Sequence, residues 1–193
     1  DDYLGQASSG YGDTAFTVAF GSAYTIGQWV YLPSSWGSGK RHPLFYFYAS
    51  STDSVAVEIN NSVMKLFSYT AGGNYANASF GGPSLAINKS KWLYHTIVHN
   101  GSGVYTYYVN GSFAGSLNAN HAPYTSSSVV MIVGYFTYDD GSTDMVEVYS
   151  SAGVKVGHIH VNSSALTNSQ IRQNYLASHD MHNTRVYGDT TLA

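Results

Sequence analysis

The chain has 193 residues, 44% of them apolar but only 10% charged, with a formal net charge of −3 and no cysteine. So large an apolar share excludes a disordered chain, and eight scattered Lys and Arg cannot neutralise a row of phosphates, which excludes nucleic acid as a partner. Without cysteine there are no disulfide staples, thiolate zinc sites or thiol nucleophiles, and no apolar run approaches the roughly 20 residues of a membrane span. Solubility therefore falls to neutral groups: Ser, Thr, Asn, Gly and the hydroxyl ends of 18 Tyr. Such a surface suits a protein that is coated with sugar or that associates. The length supports one hydrophobic core, so a single domain over residues 1–193 is expected. The opening Asp1-Asp2-Tyr3 carries neither Met nor a basic-then-apolar leader, as expected of a mature exported product or a trimmed chain.

Short β-rich runs alternate with Gly, Ser and Asn clusters along nearly the whole length. In the first half, strands are predicted over 16–20, 25–32, 43–49, 55–59 and 63–69. Within 43–49, Tyr46 and Tyr48 share one face, opposite Phe45 and Phe47. Next come 92–99, 104–109 and 112–116, separated by Asn100-Gly101 and Asn110-Gly111. Asn-Gly suits the positive φ angles of a two-residue type I′ turn, so these three runs form an antiparallel meander. Tyr105 and Tyr107 alternate there as Tyr46 and Tyr48 do. Both pairs are candidate contacts for a sugar ring or another subunit; the alternative is a three-layer arrangement that buries both strand faces. Strands over 129–135, 145–149 and 154–161 follow, and one helix over 167–177, with Thr167 as N-cap and Ile171, Tyr175 and Leu176 on one face. Residues 178–193 are left as a last strand, a tail or an arm that pairs with a neighbouring subunit.

Four constellations could carry chemistry. Hydrolysis of a sugar chain needs two carboxylates across the scissile bond, and the only two Glu, Glu58 and Glu147, stand far apart in sequence. No Gly-x-Ser-x-Gly elbow is present either, and a non-enzyme is expected. Asp139, Asp140 and Asp144 surround a Gly-bearing loop and could offer hard oxygen ligands to calcium, the one candidate cofactor, although Asp and Gly are also ordinary turn formers. His158 and His160 share a strand face, as do His95 and His99; a structural or surface role is expected of them, with a transition metal as the alternative. Six Asn-x-Ser sequons stand at Asn60, Asn77, Asn88, Asn100, Asn110 and Asn162, where roughly three would arise by chance. Turn chemistry alone explains Asn100 and Asn110; the other four leave glycosylation as the expectation for an exported chain.

A resemblance rests on four pieces in order. Phe16-Thr17-Val18 and Gln28-Trp29-Val30-Tyr31 open it. Lys91-Trp92-Leu93-Tyr94-His95-Thr96-Ile97-Val98, Asn100-Gly101-Ser102 and Tyr107-Tyr108-Val109-Asn110-Gly111 form its centre. Gly157-His158-Ile159-His160-Val161, then Ala165-Leu166-Thr167, Gln170-Ile171 and Tyr175 close it. Over roughly residues 10–177 this resembles the laminin-G-like branch of the concanavalin A-like jelly rolls, with 137–152 departing from the pattern. The resemblance implies an all-β, two-sheet antiparallel jelly-roll sandwich with one short C-terminal helix, used for carbohydrate binding, adhesion or assembly and in some branches for polysaccharide cleavage. Fold alone does not choose among these. The expected function is a non-catalytic structural or adhesive subunit, secreted or on the cell surface, glycosylated and self-associating into a homo-oligomer or polymer. A carbohydrate-binding, lectin-like module is the alternative, and an enzyme with an unfamiliar site inside 117–156 the remote one.

Overall fold

The computed structural model describes residues 16–18, 23–36, 41–50, 53–60, 63–69, 75–81, 89–119, 129–132, 137–139, 145–147 and 154–188. Among them the strands are β1 (Phe16–Val18), β2 (Tyr24–Tyr31), β3 (Arg41–Ser50), β4 (Asp53–Asn60), β5 (Val63–Tyr69), β6 (Tyr75–Ser79), β7 (Trp92–His99), β8 (Val104–Val109), β9 (Ser112–Asn118), β10 (Val129–Ile132), β11 (Thr137–Asp139), β12 (Met145–Glu147) and β13 (Lys155–Asn162). The helix α1 spans Asn168–Gly188. The first sheet has the order β1-β10-β3-β4-β5-β6 and the second β13-β2-β7-β8-β9, while β11 and β12 form a separate ribbon. Every ladder is antiparallel. Two of these strands, β6 and β11, go beyond the eleven read from sequence.

Alternation places the core. In β2, Tyr24, Ile26 and Val30 face the first sheet, and Ile97 of β7 with Tyr105 and Tyr107 of β8 join them. Val55, Val57 and Ile59 of β4 with Met64 and Leu66 of β5 meet them from the other side. Leu32, Leu44, Phe45, Trp36 and Phe80 belong to the same cluster, Phe80 lying 5.8 Å from the Tyr107 ring. Fully burying a side chain of this size contributes about 1.5–3 kcal/mol, so the cluster is the main stabilising term.

The two Asn-Gly pairs fold differently. Asn110 and Gly111 have φ of 50° and 74°, the two-residue type I′ turn expected between β8 and β9. Asn100-Gly101 does not make the same turn. Four residues link β7 to β8, with Gly101 and Gly103 at φ of 83° and 81°. The Asn100 carboxamide oxygen accepts from the Ser102 N–H at 2.8 Å and the Val104 N–H at 3.2 Å. A second glycine and this Asx turn favour the wider loop.

The helix is longer than expected. The Thr167 hydroxyl accepts from the Gln170 N–H at 3.4 Å while the Gln170 carboxamide oxygen accepts from the Thr167 N–H at 2.9 Å, a capping box at the anticipated N-cap. Beyond Ala177 the sequence offers no Gly or Pro until Gly188, so the helix continues through most of the stretch left open as a strand, tail or arm. Residues 189–193 lie outside the described residues. No helix among the described residues is long and apolar enough to cross a membrane.

Candidate functional site

The outward face of the second sheet is where α1 docks. Thr25, Gly27, Trp29 and Tyr31 of β2 point there, beside Trp92, Tyr94, Thr96 and Val98 of β7 in register. Ile171 of α1 is wholly buried against Val98 and Tyr108, with Leu166 packed alongside. Tyr175 lies 5.8 Å from the Trp29 ring and 6.2 Å from Tyr94, and His179 lies 6.1 Å from Trp29. Hydrogen bonds fix this docking: the Trp29 indole N–H donates to the Ser178 hydroxyl at 3.1 Å, and the Tyr108 hydroxyl to the Asn168 carboxamide oxygen at 2.5 Å. Thr25 donates to the Ser164 carbonyl at 2.8 Å and accepts from the Leu166 N–H at 3.0 Å, holding the approach to the helix. Gly111 sits beneath it, where a Cβ would come within 3.1 Å of the Arg172 backbone.

Between α1 and β13 a cleft of about 110 Å³ remains, lined by Tyr94, His158, His160, Asn174, Ala177 and Ser178. His158 and His160 point out of the sandwich, and His160 pairs in register with Gly27. The absence of a side chain at Gly27 admits the Tyr94 phenol, whose ring a Cβ there would overlap. Burial pushes the Tyr94 hydroxyl up to about 12. Burial, and then the nearness of His158, hold His160 below the ordinary imidazole range. Its Nε2 is sealed from solvent with no hydrogen-bond partner. Sequence reading singled out the two imidazoles; Asn174 and Ser178 it missed, because only the docked helix brings them opposite. Toward the other end of the face, Lys155, Tyr31 and Trp92 form a row across three strands, with Lys155 Nζ 5.6 Å from the Tyr31 ring centroid and the two rings 5.8 Å apart.

The other nominated residues divide. Tyr105 and Tyr107 are 1% and 2% exposed, so they pack between the sheets and are not contacts for a sugar or a subunit. Alternation puts them inward because Val104, Thr106 and Tyr108 take the outward positions. Tyr107 instead bonds His95 Nδ1 at 2.8 Å through its hydroxyl and stacks on that ring at 5.9 Å. His99 is likewise interior, 4.5 Å from the Tyr105 ring, and accepts from the Gly103 N–H at 3.3 Å. Tyr46 and Tyr48 stand in β3 opposite Ile132 and Val130, but their side chains lie outside the described residues. Asp139 ends β11 opposite Met145; its side chain, and Asp140 and Asp144 entirely, lie outside them too.

Of the sequons, Asn100 is exposed in the β7–β8 loop, and Asn162 accepts from the Ser164 N–H at 3.0 Å. Asn110 accepts from the Tyr94 N–H at 2.9 Å and donates its own N–H to the Tyr94 carbonyl at 2.8 Å. Asn60 donates to Glu58 at 2.8 Å, and Glu58 is fully buried. Asn77 lies within β6 opposite Phe67, its side chain outside the described residues, as is all of Asn88.

Two packed antiparallel sheets, with an outer face closed by the chain's own helix, define a β-sandwich of the lectin type. The Laminin_G_3 model of the Concanavalin A-like lectin/glucanases superfamily matches residues 6–155, and the chain belongs to this family. The match stops at the first residue of β13, so α1 and most of β13 lie beyond it. No curated protein sequence matches the chain. Among solved structures, the receptor binding domain of botulinum neurotoxin D superposes with a TM-score of 0.59 at 15% identity, covering 83% of this chain and 38% of that one. The receptor binding domain of the botulinum neurotoxin C/D mosaic serotype gives 0.56 at 14%, covering 80% and 36%. The binding domain of botulinum neurotoxin DC in complex with SialylT gives 0.58 at 14%, covering 82% and 36%. The chain thus spans little more than a third of the length of these structures, and the likeness is one of fold.

Proposed function

We propose that this chain is a non-catalytic structural or adhesive domain that works outside the cell, carries glycans and associates with copies of itself. The observation that carries this reading is the edge of the second sheet at β9. That strand, Ser-Phe-Ala-Gly-Ser-Leu-Asn, has no charge and no proline, and Phe113 is 63% exposed on it. Edge strands are ordinarily guarded by Lys, Pro or bulges, because their unpaired N–H and C=O groups template another strand. Among the described residues β9 carries a bulge opposite Tyr107 and Tyr108, and residues 115–118 keep a regular register. Low overall charge adds little repulsion against such pairing. The burial of Glu58 supports a passive role, since a carboxylate sealed in the protein cannot meet a glycosidic bond. The exposed Asn100 is the best-placed acceptor for a glycan. Light scattering and electron microscopy test the reading: species larger than the 20.8 kDa chain are expected, dispersed by Phe113→Lys without loss of fold. A monodisperse monomer at high concentration would sink it.

A second reading, carbohydrate binding, is favoured by the Lys155–Tyr31–Trp92 row, whose half-buried rings offer faces on which a sugar can stack. The SialylT complex of a structural neighbour is in keeping with it. Glycan-array binding abolished by Trp92→Ala would favour this reading over the first, and a blank array would remove it.

A further inference from the structure

The cleft between β13 and α1 has the chemistry of a site that neither sheet edge nor aromatic row explains. Two imidazoles, His158 and His160, open on the same small space, facing Asn174 and Ser178 of the helix. Residues two apart on a strand share a face at a spacing of about 6.5 Å, and the register shift between Val156 and Ile159 falls at His158. The His160 Nε2 atom is covered by protein, so the ring meets the cleft through Nδ1. His158 is exposed and gives access from solvent. Ser178 is already committed, accepting from Trp29 and donating to the Tyr175 carbonyl, which leaves the Asn174 carboxamide as the oxygen donor on the helix side. Among the described residues no carboxylate lines the cleft, and that donor set does not suit calcium or magnesium. Imidazole nitrogens suit zinc and copper(II).

We propose that His158 and His160, with the Asn174 carboxamide, hold a divalent transition-metal ion whose remaining positions are taken by water. Among the described residues no third His, Asp or Glu joins the pair. Because its donors come from β13 and α1, a bound ion ties the last strand to the helix that covers it. Binding to the folded state alone stabilises by mass action, so the midpoint of thermal unfolding rises with metal concentration.

The test uses the full chain, stripped with a chelator and then dialysed free of it, titrated with zinc by calorimetry and with copper(II) by paramagnetic resonance. One equivalent binds, and the copper spectrum carries the hyperfine pattern of two nitrogen ligands. His158→Ala, an exposed change that preserves the fold, weakens binding at least about 10–100-fold, the loss that removing even a supporting residue of a metal site brings. Asn174→Ala weakens it less than His158→Ala does. Absence of binding, unchanged affinity in His158→Ala, or a copper spectrum lacking two nitrogens each overturns the assignment.

Discussion

Raising the pH should unfold this protein through its buried phenols. Tyr94 and Tyr105 have hydroxyls pushed from 10.0 up to about 12 by burial, and burial raises Tyr24 and Tyr107 as well. A phenol that ionises near 10 in the unfolded chain and near 12 in the fold leaves the folded state holding more protons between those values. Stability is then complete below about pH 10 and falls as the pH climbs toward about 12. At about pH 11, Tyr94 and Tyr105 each cost between about 1 and 2 kcal/mol, roughly 3 kcal/mol together, with Tyr24 and Tyr107 adding in the same direction. A domain whose whole stability is about 5–15 kcal/mol cannot absorb much more than that. Tyrosinate absorbance followed together with circular dichroism should show one class of tyrosine ionising freely near pH 10. A second class should ionise only as the near-ultraviolet dichroism collapses cooperatively. If every tyrosine instead ionised reversibly near pH 10 while the dichroism stayed native, the placement of these rings in the interior would be refuted.

Three substitutions probe the helix-covered face. Ile171→Ala empties the best-buried contact of α1 and should cost about 2–5 kcal/mol, read as a lower midpoint in urea and faster proteolysis of the helix. Gly27→Ala drives a methyl into the Tyr94 phenol and should destabilise by about 1–3 kcal/mol, measured by thermal unfolding, whereas the same change at the open Gly81 should do much less. Thr167→Ala removes the hydroxyl that caps α1 and should cost about 1 kcal/mol, with a loss of helical dichroism that Thr167→Ser restores.

The sandwich was legible because its strands advertise themselves. Runs such as Thr25-Ile26-Gly27-Gln28-Trp29-Val30-Tyr31 and Trp92-Leu93-Tyr94-His95-Thr96-Ile97-Val98-His99 combine β-branched and aromatic residues between turn formers. Tyr75-Ala76-Asn77-Ala78-Ser79, by contrast, has almost no strand-favouring residue and takes its conformation from its ladder with β5, a tertiary effect invisible locally. The same limit governs Tyr105 and Tyr107. Alternation says that they share a face but not which one, and a sheet covered on both sides removes the polar marker that would decide it. Tyr94, Tyr108 and Trp29 are aromatic on the outward side just as Tyr105 and Tyr107 are on the inward side, because α1 makes that side an interior too. The helix end was missed for a related reason: Ser178 reads as polar and expendable until Trp29 is seen to donate to it. The histidine cleft stood half in view, since strand spacing gives the pair but not the helix residues that close over it.

The strand order of the second sheet constrains how the chain can reach its fold. β13 pairs with β2 across about 130 residues of intervening chain, so this ladder has a high contact order and belongs to the slow class of folding events. Until residues 155–188 emerge, β2 has a raw flank and Trp29 and Tyr94 face water uncovered. A nascent molecule therefore stays sticky until residues 155–188 have been made. The latch and the lid arrive together.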